Sequence, residues 1–558
     1  MVPVLSLYGP YYPTSILRQS YVNLTSILRV SYVYGTYMLR ISYVIVGFRF
    51  RVSGGKALRL FSGTCGSNVP PRSIHRFQAS DFSAFRAEWS MRRTEKGKTK
   101  HPFRTRNRKL FRYLLRISKK NRTFAPVFDF RPLSNSKTVM KIAFSTLGCK
   151  LNFAESSAIG KALLSAGHTR AKQGEEADAV VLNTCSVTDA ADHKGRQAIH
   201  RLRRQYPRAM LIVTGCYAEL KGDEIQSMPE VDYVFGANEK EKIVRLLTEN
   251  QTDAAPTTEN GAKVPAFFPA CSRDDRTRCF LKVQDGCNYF CTYCTIPLAR
   301  GRSRNAPIAD IVAQARQALQ EGAKEIVLTG VNIGDFGRTT GERFIELLRA
   351  LDDLQDAAPG GEYRMRISSC EPNLLTDEII DWVAESRHFT PHFHIPLQSG
   401  SNEVLKIMHR HYDRELFAER VAHIRQVMPD AFIGVDCMVG VRGETEERWN
   451  DYLEFVKSLP VSQLHVFTYS ERANTRMPEM DLYVVPKKER ERRSKILHDV
   501  SEQKLQDFYR AHRGEPAVVL WEAKRVGDCM EGFTENYIRL STPYDKDKIN
   551  TFEKVLID

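Results

Sequence analysis

From residue 140 onward, short apolar runs alternate with segments whose apolar residues recur every three or four positions. The short runs are typical of buried strands and the periodic segments of amphipathic helices. Regular alternation of the two predicts a parallel sheet covered by helices, so the first domain after residue 139 is expected to be α/β. Its predicted strands are 141–146, 177–183, 209–215 and 231–236, and its predicted helices lie near 153–166, 189–205 and 239–249.

The same alternation continues after residue 273. Six βα units can be counted there, and this number fits a partial (β/α)6 barrel, in which residues at the carboxyl ends of the strands would face the site. The candidate strands are 279–284, 325–329, 364–368, 392–396, 431–437 and 463–468, with helical patterns between them such as 307–321, 374–387 and 445–458.

The last part of the chain has a different pattern. Residues 485–511 form a highly charged helical pattern, and from about residue 515 three strand-like runs follow one another, which predicts a small β-barrel. A linker containing Pro, Thr, Asn and Gly lies at about 250–272. The expected domains are therefore 140–252, 273–505 and 512–558, after an extension of residues 1–139.

The formal net charge of the 558-residue chain is +16, which by itself would favour an anionic partner such as a nucleic acid. The charge is unevenly spread, because residues 1–139 hold 26 Lys and Arg against 4 Asp and Glu, whereas residues 140–558 hold 56 against 62. The basic excess therefore belongs to the extension alone. The extension also contains an 11-residue unit three times in succession, beginning at Thr14, Thr25 and Thr36.

Three interpretations of the extension compete. It is a basic nucleic-acid-binding arm, an organelle transit segment, or upstream sequence translated from a start placed too early. We adopt the last, because Met140 directly precedes a buried-strand pattern. Residues 1–139 are accordingly expected to be disordered or foreign to the native protein.

Composition narrows the class of the remainder. A chain with 42% hydrophobic and 27% charged residues is typical of globular proteins. No apolar run is long enough to span a bilayer, so no membrane association is expected. Twelve cysteines are too sparse for a disulfide scaffold, and their grouping must decide their role.

Each of the first three predicted strands leads almost directly into a cysteine, at Cys149, Cys185 and Cys216. Because the carboxyl ends of parallel strands share one edge, we expect the three thiols to converge. Gly148 and Gly215 would allow tight turns beside a bulky ligand. Three buried cysteines acting as small hydrophobic residues are the alternative, but the repeated strand-end position favours a metal or cluster with one open coordination site.

A second group follows the linker. Cys287, Cys291 and Cys294 have CxxxCxxC spacing just after a predicted strand. A zinc knuckle is the alternative, but structural zinc takes four ligands, and no fourth Cys or His follows at knuckle spacing. Three thiolates on a 4Fe-4S cluster leave one iron free to chelate a substrate.

With an aromatic residue, Tyr293, before its last cysteine, this motif resembles that of the radical S-adenosylmethionine superfamily. The runs TLGCKLN, NTCSVT and TGCYAE around the upstream cysteines extend the resemblance to the methylthiotransferases, most closely to the branch acting on threonylcarbamoyladenosine in tRNA. It covers about residues 140–558. It implies two 4Fe-4S clusters and S-adenosylmethionine as cofactors, and transfer of a methylthio group to C2 of N6-threonylcarbamoyladenosine at tRNA position 37. The second cysteine group would bind the catalytic cluster and the first group an auxiliary cluster that carries the sulfur.

The resemblance also implies cofactor contacts outside the cysteines. Gly330, in TGVNIG, stands where the superfamily contacts the amino group of S-adenosylmethionine, and Gln398, in HIPLQSGS, lies in a run that resembles the family's pattern around a cofactor contact. Tyr293 is the third such residue. Core residues are expected at Cys370, Cys437, His392 and His394, and Cys271 and Cys279 have no evident role.

For RNA, the resemblance implies that the last domain is a TRAM-like β-barrel, with GFTENY as the closest match. Phe533 and Tyr537 would stack on bases. Arg300, Arg302 and Arg304 follow the cluster loop and are candidate phosphate contacts, with solvated surface arginines as the alternative.

Other functions remain open from the sequence. Within the family, the substrate is alternatively isopentenyladenosine in tRNA or an aspartate of a ribosomal protein, and outside it the chain is a non-enzymatic Fe–S or zinc protein that binds RNA. The expected partners are tRNA, an electron donor and a sulfur source, the last two unidentified. We expect a monomer in the cytoplasm, because exposed clusters need a reducing compartment.

Overall fold

The fold of the 558-residue chain is taken from a computed structural model. The structure describes the backbone of six strand segments between residues 22 and 129, and then residues 139–172, 174–249, 267–272 and 277–558. The chain forms two compact units, residues 1–138 and 139–558.

The first unit contains short antiparallel strands. They are β1 (Val22–Asn23), β2 (Ile27–Tyr34), β3 (Tyr37–Val44), β4 (Arg49–Val52), β5 (Lys56–Arg59) and β6 (Phe128–Asp129). The second and third copies of the 11-residue repeat supply β2 and β3, which pair along their whole length. Most of this unit lies outside the described residues, so the expectation that it is disordered or foreign to the native protein stays a prediction.

The second unit begins with a parallel sheet, as the sequence pattern predicted, but the sheet has five strands because Thr169–Arg170 adds a short edge strand to the four expected. Its strands follow the order β11-β10-β9-β7-β8, and helices cover both faces. The strands are β7 (Lys141–Thr146), β8 (Thr169–Arg170), β9 (Ala179–Thr184), β10 (Met210–Gly215) and β11 (Tyr233–Val234). The helices are α1 (Lys150–Ser165), α2 (Asp189–Gln205), α3 (Cys216–Leu220), α4 (Gly222–Gln226) and α5 (Lys240–Glu249).

Burial on both faces explains the unbroken apolar run of β9. Val180 and Leu182 pack with α2 on one side of the sheet, while Ala179 and Val181 pack with α1 and α5 on the other. A strand buried on both faces has no need of polar alternation. This sheet and its helices are called the sheet domain below.

Six parallel strands follow, in two three-stranded sheets of order β12-β13-β14 and β15-β16-β17. Isolated bridges between Met365 and Phe389 and between Ser369 and His394 join the two sheets, so the six strands form one curved wall, as predicted for the barrel. The strands are β12 (Cys279–Lys282), β13 (Glu325–Thr329), β14 (Arg364–Ile367), β15 (His392–Gln398), β16 (Phe432–Val439) and β17 (Gln463–Thr468). The helices are α6 (Ile296–Arg300), α7 (Ile308–Gln320), α8 (Phe344–Asp352), α9 (Asp377–Glu385), α10 (Asn402–Ile407), α11 (Arg414–Val427) and α12 (Glu446–Ser458).

Alternation along these strands separates the core from the inside of the barrel. On β15, Phe393 and Ile395 are buried in the main core between strands and helices. His392 and His394 therefore face the barrel interior, whereas the register of β15 shifts between Pro396 and Gln398, so the alternation ends before Gln398. The interior is a polar surface on this side.

The sheet domain covers part of that interior. Residues of α1, among them Ala154, pack against Phe280 of β12 and Val327 of β13, both on the interior face. The barrel therefore shares its inner surface with another domain, and side chains from α1 can contribute to whatever lies inside.

The chain ends with α13 (Lys487–Ala511), which lies along β17, and a small antiparallel sheet of order β20-β19-β18-β21. The strands are β18 (Pro516–Val526), β19 (Cys529–Phe533), β20 (Arg539–Pro543) and β21 (Phe552–Leu556). This curled sheet is consistent with the predicted TRAM-like barrel. The domain boundaries within residues 139–558 stay predictions. None of the described helices is long and apolar enough to cross a membrane.

Candidate active site

The first three cysteines, here called the sheet triad, follow strands that end at the same level. Thr184 of β9 pairs with Gly215 of β10, so Cys185 and Cys216 leave the sheet side by side. Cys149 is the residue that precedes α1. A Cβ atom on Gly148 would lie only 2.9 Å from the Cβ of Cys185, so the loops that carry Cys149 and Cys185 are in contact. The predicted convergence of the sheet triad thus agrees with the loop geometry.

Asn152, in the first turn of α1, holds these loops and was not singled out from the sequence. Its buried side-chain nitrogen donates to the carbonyl oxygens of Leu147 and Thr184, each at 2.9 Å. Those two carbonyls lie within two residues of Cys149 and Cys185 in the chain. The only signal in the sequence is that Asn152 belongs to the quoted run TLGCKLN.

The other set, here called the barrel triad, is Cys287, Cys291 and Cys294, on a loop that follows β12. Backbone hydrogen bonds between Asp285 and Arg304, at 2.8 and 2.9 Å, close this loop at its base. Three N–H groups point at the sulfurs: the Tyr289 and Ile296 amides lie 3.4 Å from Cys287 and Cys294 Sγ, and Arg410 Nη1 lies 3.2 Å from Cys291 Sγ. Donors of this kind stabilise thiolates that hold a cluster.

Five of the six triad thiols sit in a low-dielectric environment, whereas Cys149 is exposed. Burial raises the pKa of Cys287 and Cys294 to about 12 and that of Cys185 to about 11. Without a bound cation these groups therefore stay protonated at neutral pH, and a cluster must displace their protons as it binds. Within the described ranges, no three Cys, His, Asp or Glu side chains are close enough to enclose a single metal ion.

The predicted cofactor contacts lie at the carboxyl ends of barrel strands. Gly330 follows β13, and a Cβ there would lie 2.8 Å from Ile333 and 3.0 Å from the Gln284 carbonyl oxygen, so only glycine fits. Gln398 ends β15 with a positive φ of 65°, and its buried side-chain oxygen has no hydrogen-bond partner. The side-chain oxygen of Asn332, beside Gly330, is also buried without a partner. Orphaned oxygens of this kind suit a polar ligand such as the amino group of S-adenosylmethionine.

Tyr293 is half-buried, and its ring packs near Val404 and Met408. Its hydroxyl accepts a hydrogen bond from Arg410, 3.3 Å away. Arg410 also pairs with Glu371, so one guanidinium links the barrel triad to a carboxylate at the end of β14. Neither Arg410 nor Glu371 was recognised from the sequence.

Histidines line the barrel interior below these residues. The His394 ring nitrogen Nε2 donates to Asp436 at 2.7 Å, and the His465 ring lies 5.0 Å from that of His394. Burial lowers the pKa of His465 to about 4. The core assignment is confirmed for His392, which is 5% exposed and stacks on Phe432, but it is wrong for His394, which belongs to this polar pair.

Two family models match the chain: the uncharacterized protein family UPF0004 over residues 141–236 and the radical SAM superfamily over residues 281–456. The threonylcarbamoyladenosine tRNA methylthiotransferase MtaB of Bacillus subtilis is 36% identical over 433 residues, covering 75% of this chain and 93% of the relative. The chain belongs to the radical S-adenosylmethionine methylthiotransferase family.

A second relative, the tRNA-2-methylthio-N(6)-dimethylallyladenosine synthase of Fusobacterium nucleatum, is 31% identical, covering 64% of this chain and 82% of that protein. Among solved structures, the radical S-adenosylmethionine methyltransferase TsrM of Kitasatospora setae matches with a TM-score of 0.44 and 14% identity, covering 58% of this chain and 72% of that one. As a radical SAM methylthiotransferase, the chain is a transferase that uses S-adenosylmethionine and 4Fe-4S clusters. Two sets of three thiols fit such clusters, and N–H donors already lie beside the sulfurs of the barrel triad.

Two of the three arginines expected to contact phosphate in this methylthiotransferase do not lie at the surface. Arg300 and Arg304 are 1% and 3% exposed and pair with buried carboxylates, so the prediction is wrong for them. Buried charges are held by counter-charges and are not available to a ligand at the surface. Arg302 is exposed, with its guanidinium 5.1 Å from the Phe290 ring, and stays a predicted RNA contact.

The aromatic residues expected to stack on bases lie at the junction with the barrel. Tyr537 packs on His392 and Phe432, and Arg278 lies 4.5 Å above the Phe533 ring. Because their faces are occupied by protein groups, the stacking prediction is wrong in this arrangement. The exposed basic side chains on the C-terminal strands are instead Lys524, Arg525, Arg539 and Lys554, and Lys546 is exposed in the segment before β21.

The remaining predicted cysteines are structural. Cys370 and Cys437 are buried in the barrel core, as expected. Cys271 and Cys279, for which the sequence suggested no role, form a disulfide between the end of the linker and the start of β12.

Proposed function

We propose that this methylthiotransferase converts N6-threonylcarbamoyladenosine at position 37 of tRNA into its 2-methylthio derivative. The observation that carries the proposal is the closeness of the two triads. α6 begins two residues after Cys294, α3 begins at Cys216, and the two helices pack against each other. A sulfur source and a source of one-electron chemistry are both required at one substrate atom, and this packing supports the proposal that the two sites are adjacent.

The barrel triad would hold the cluster that binds S-adenosylmethionine, and the sheet triad the auxiliary cluster. When bound, these groups supply radical chemistry and the transferred sulfur, because an aromatic C–H bond at C2 is not acidic enough for a side-chain base. The chain's own residues bind and orient these groups. Gly330 and Gln398 would contact S-adenosylmethionine, and Arg410 would fix the Cys291 sulfur through its hydrogen bond at 3.2 Å.

The polar barrel interior supports the choice of substrate. A threonylcarbamoyl group carries a hydroxyl, a urea and a carboxylate, whereas a dimethylallyl group is apolar. His394 and Asp436 form a polar pair on the inner face, and the buried side-chain oxygen of Gln398 at the end of β15 has no partner, so an apolar substituent would leave that oxygen unpaired. The relative named for threonylcarbamoyladenosine is also more similar to the chain than the one named for dimethylallyladenosine.

Nucleoside analysis of tRNA from a strain lacking this protein tests the substrate. We expect the 2-methylthio derivative of threonylcarbamoyladenosine to disappear and that of isopentenyladenosine to remain. Persistence of the first derivative in a strain with no second such enzyme would contradict the proposal. Loss of the second derivative instead would assign the other tRNA substrate.

Anaerobic reconstitution tests the two-cluster mechanism. About eight iron atoms per chain are expected, with 5′-deoxyadenosine formed on reduction in the presence of S-adenosylmethionine. Cys291→Ala should abolish 5′-deoxyadenosine formation. Cys185→Ala should permit it and yet block methylthiolation of tRNA. Four irons, or zinc, in the wild-type chain would instead indicate the single-site alternatives.

The remaining expectations concern the partners of the protein, its oligomeric state and its location in the cell. tRNA is the proposed macromolecular substrate, and an electron donor and a sulfur source, both unidentified, complete the reaction. We expect a monomer that works in the cytoplasm, where a reducing environment protects iron–sulfur clusters. Fractionation of cells and light scattering of the purified protein test these two points.

A further inference from the structure

A buried network of ion pairs joins the sheet domain to the barrel. Glu155 of α1 lies at its centre and pairs with Lys240, Lys282 and Arg300 at 2.9–3.1 Å. Asp285, at the base of the barrel-triad loop, pairs with Lys282, Arg300 and Arg304 at 2.6–3.1 Å. All six side chains are at most 3% exposed.

The network is not neutral. Within the part of the chain that the structure describes, it contains four basic side chains and two carboxylates, so basic groups outnumber acidic ones by two in a buried place. Although burial alone would raise the pKa of Glu155, the cations Arg300, Lys240 and Lys282 hold it well below its usual range. Burial would likewise raise the pKa of Asp285, but Lys282, Arg300 and Arg304 hold it low, so both carboxylates are ionised. Unpaired buried charge is costly, so further negative charge is expected close by.

The sheet triad lies beside this excess. The Cys149 thiol lies 3.7 Å from the Asn152 side-chain oxygen, and the same oxygen accepts a hydrogen bond from Arg300. A cluster held by three thiolates would bring net negative charge to this place. Arg300 is therefore a cation of the network that contacts the auxiliary site through a shared hydrogen-bond acceptor.

Arg300 is also linked to that site by a chain of hydrogen bonds. Its Nη2 atom donates to the side-chain oxygen of Asn152 at 2.7 Å. Asn152 in turn holds the carbonyl groups of Leu147 and Thr184, close to Cys149 and Cys185. Arg300 is itself the last residue of α6, the helix that follows the barrel triad, so one side chain spans the two sites.

We propose that Arg300 is a positioning residue for the auxiliary cluster, which holds the Cys149 and Cys185 loops through Asn152 and supplies the positive charge that the anionic cluster requires. This inference rests on the assignment of the auxiliary cluster to the sheet triad. It gives a functional reason for a charge imbalance that a purely structural ion-pair network would not need.

The test compares two substitutions in the full-length chain after anaerobic reconstitution. Arg300→Gln removes the charge and the contact with Asn152, while Glu155 and Asp285 keep their lysine and Arg304 partners. We expect iron to fall from about eight to about four atoms per chain, or to leave the auxiliary site about 10–100-fold faster in the presence of a chelator. 5′-Deoxyadenosine formation, which depends on the barrel triad, should persist. Arg300→Lys keeps the charge and should retain iron better than Arg300→Gln.

Arg304→Gln is the matched control, because it removes an equally buried charge from the same network without touching Asn152. It should keep about eight irons and the wild-type rate of iron release. Urea unfolding of each metal-free variant checks that the chain folds. Equal loss of iron in the Arg300 and Arg304 variants, or wild-type iron retention in Arg300→Gln, would overturn this inference alone. A wild-type chain with only four irons would overturn the two-cluster proposal itself, and this inference with it.

Discussion

Asn152 shows how one neutral side chain holds the loops of the proposed auxiliary-cluster site. Its side-chain nitrogen donates to two carbonyl groups from different loops, and its side-chain oxygen accepts a hydrogen bond from Arg300. Asp at this position has nearly the same shape but no donor. The two roles can therefore be separated by a single substitution.

Asn152→Asp should lower the free energy of unfolding by about 1–3 kcal/mol for each carbonyl left unpaired. It should also reduce iron at the sheet triad, because the Cys149 and Cys185 loops are no longer joined. Urea unfolding and iron analysis measure the two effects. Asn238→Asp is the control, since Asn238 accepts a bond from Arg304 and aspartate can accept it equally well. Similar iron loss in both variants would contradict the role given to Asn152.

His392 makes stability depend on pH. Burial, with Arg366 and Lys150 nearby, holds its pKa well below 6.5. The folded chain therefore resists protonation that the unfolded chain accepts, so stability is complete above about pH 6.5 and falls as the pH decreases, by up to about 1.4 kcal/mol per pH unit. His392→Phe, which keeps the stacking on Phe432, should flatten this part of the curve in urea unfolding between about pH 7.5 and 5.5. An unchanged slope would show that other groups cause the acid sensitivity.

At the scale of elements, the end of β10 depends on a glycine. Gly215 has a φ of +99°, and a Cβ there would collide with the carbonyl oxygen of Thr184. Any larger residue must push β10 away from β9 and move Cys216 with it. The turn that releases Cys216 into the site is therefore possible only with glycine.

Gly215→Ala should destabilise the chain by more than about 1 kcal/mol, because the native backbone conformation is incompatible with a side chain. Iron at the sheet triad should fall at the same time. Gly222→Ala, in α4, is the matched control: a methyl group there would have no atom within 4 Å, and alanine favours helix. Unfolding curves and iron counts for the two variants should diverge, and parallel behaviour would contradict this account of the turn.

Element patterns could be predicted closely from the sequence, and long-range contacts could not. The strand 141–146 and the helix 189–205 agree with the structure at both ends, because buried strands and capped amphipathic helices have local signals. Arg300 was misassigned to the surface because its partners, Glu155 and Asp285, lie 145 and 15 residues away. Tyr537 was misassigned for the same reason: only the docked barrel reveals that its ring is covered.

At the scale of the whole molecule, the excess of basic residues and the proposed cluster-binding residues lie in different parts of the chain. Both triads and the barrel interior lie within residues 140–558, which carry 56 Lys and Arg against 62 Asp and Glu. The net charge of +16 is therefore a poor guide to where tRNA binds. Local basic groups, such as Arg302 and those of the C-terminal sheet, are the better candidates.

A chain that starts at Met140 should bind tRNA with nearly the affinity of the full chain and form the same modified nucleoside. Its affinity should also depend on salt with nearly the same slope, because the slope counts phosphate contacts and the extension is expected to make none. Binding measured at several salt concentrations checks this. Abolition of tRNA binding by the truncation would restore the extension as a basic RNA-binding arm.

The packing of α1 inside the barrel limits which parts of such enzymes can be exchanged. Glu155 on α1 of the sheet domain pairs with Lys282 and Arg300 on the barrel, so opposite charges on the two domains pair across their interface. A chimera that takes only its first domain from a relative without a carboxylate at this place would bury these cations without a partner. The two domains are therefore a single unit for engineering, and substrate preference must be grafted on the barrel's inner face with α1 retained.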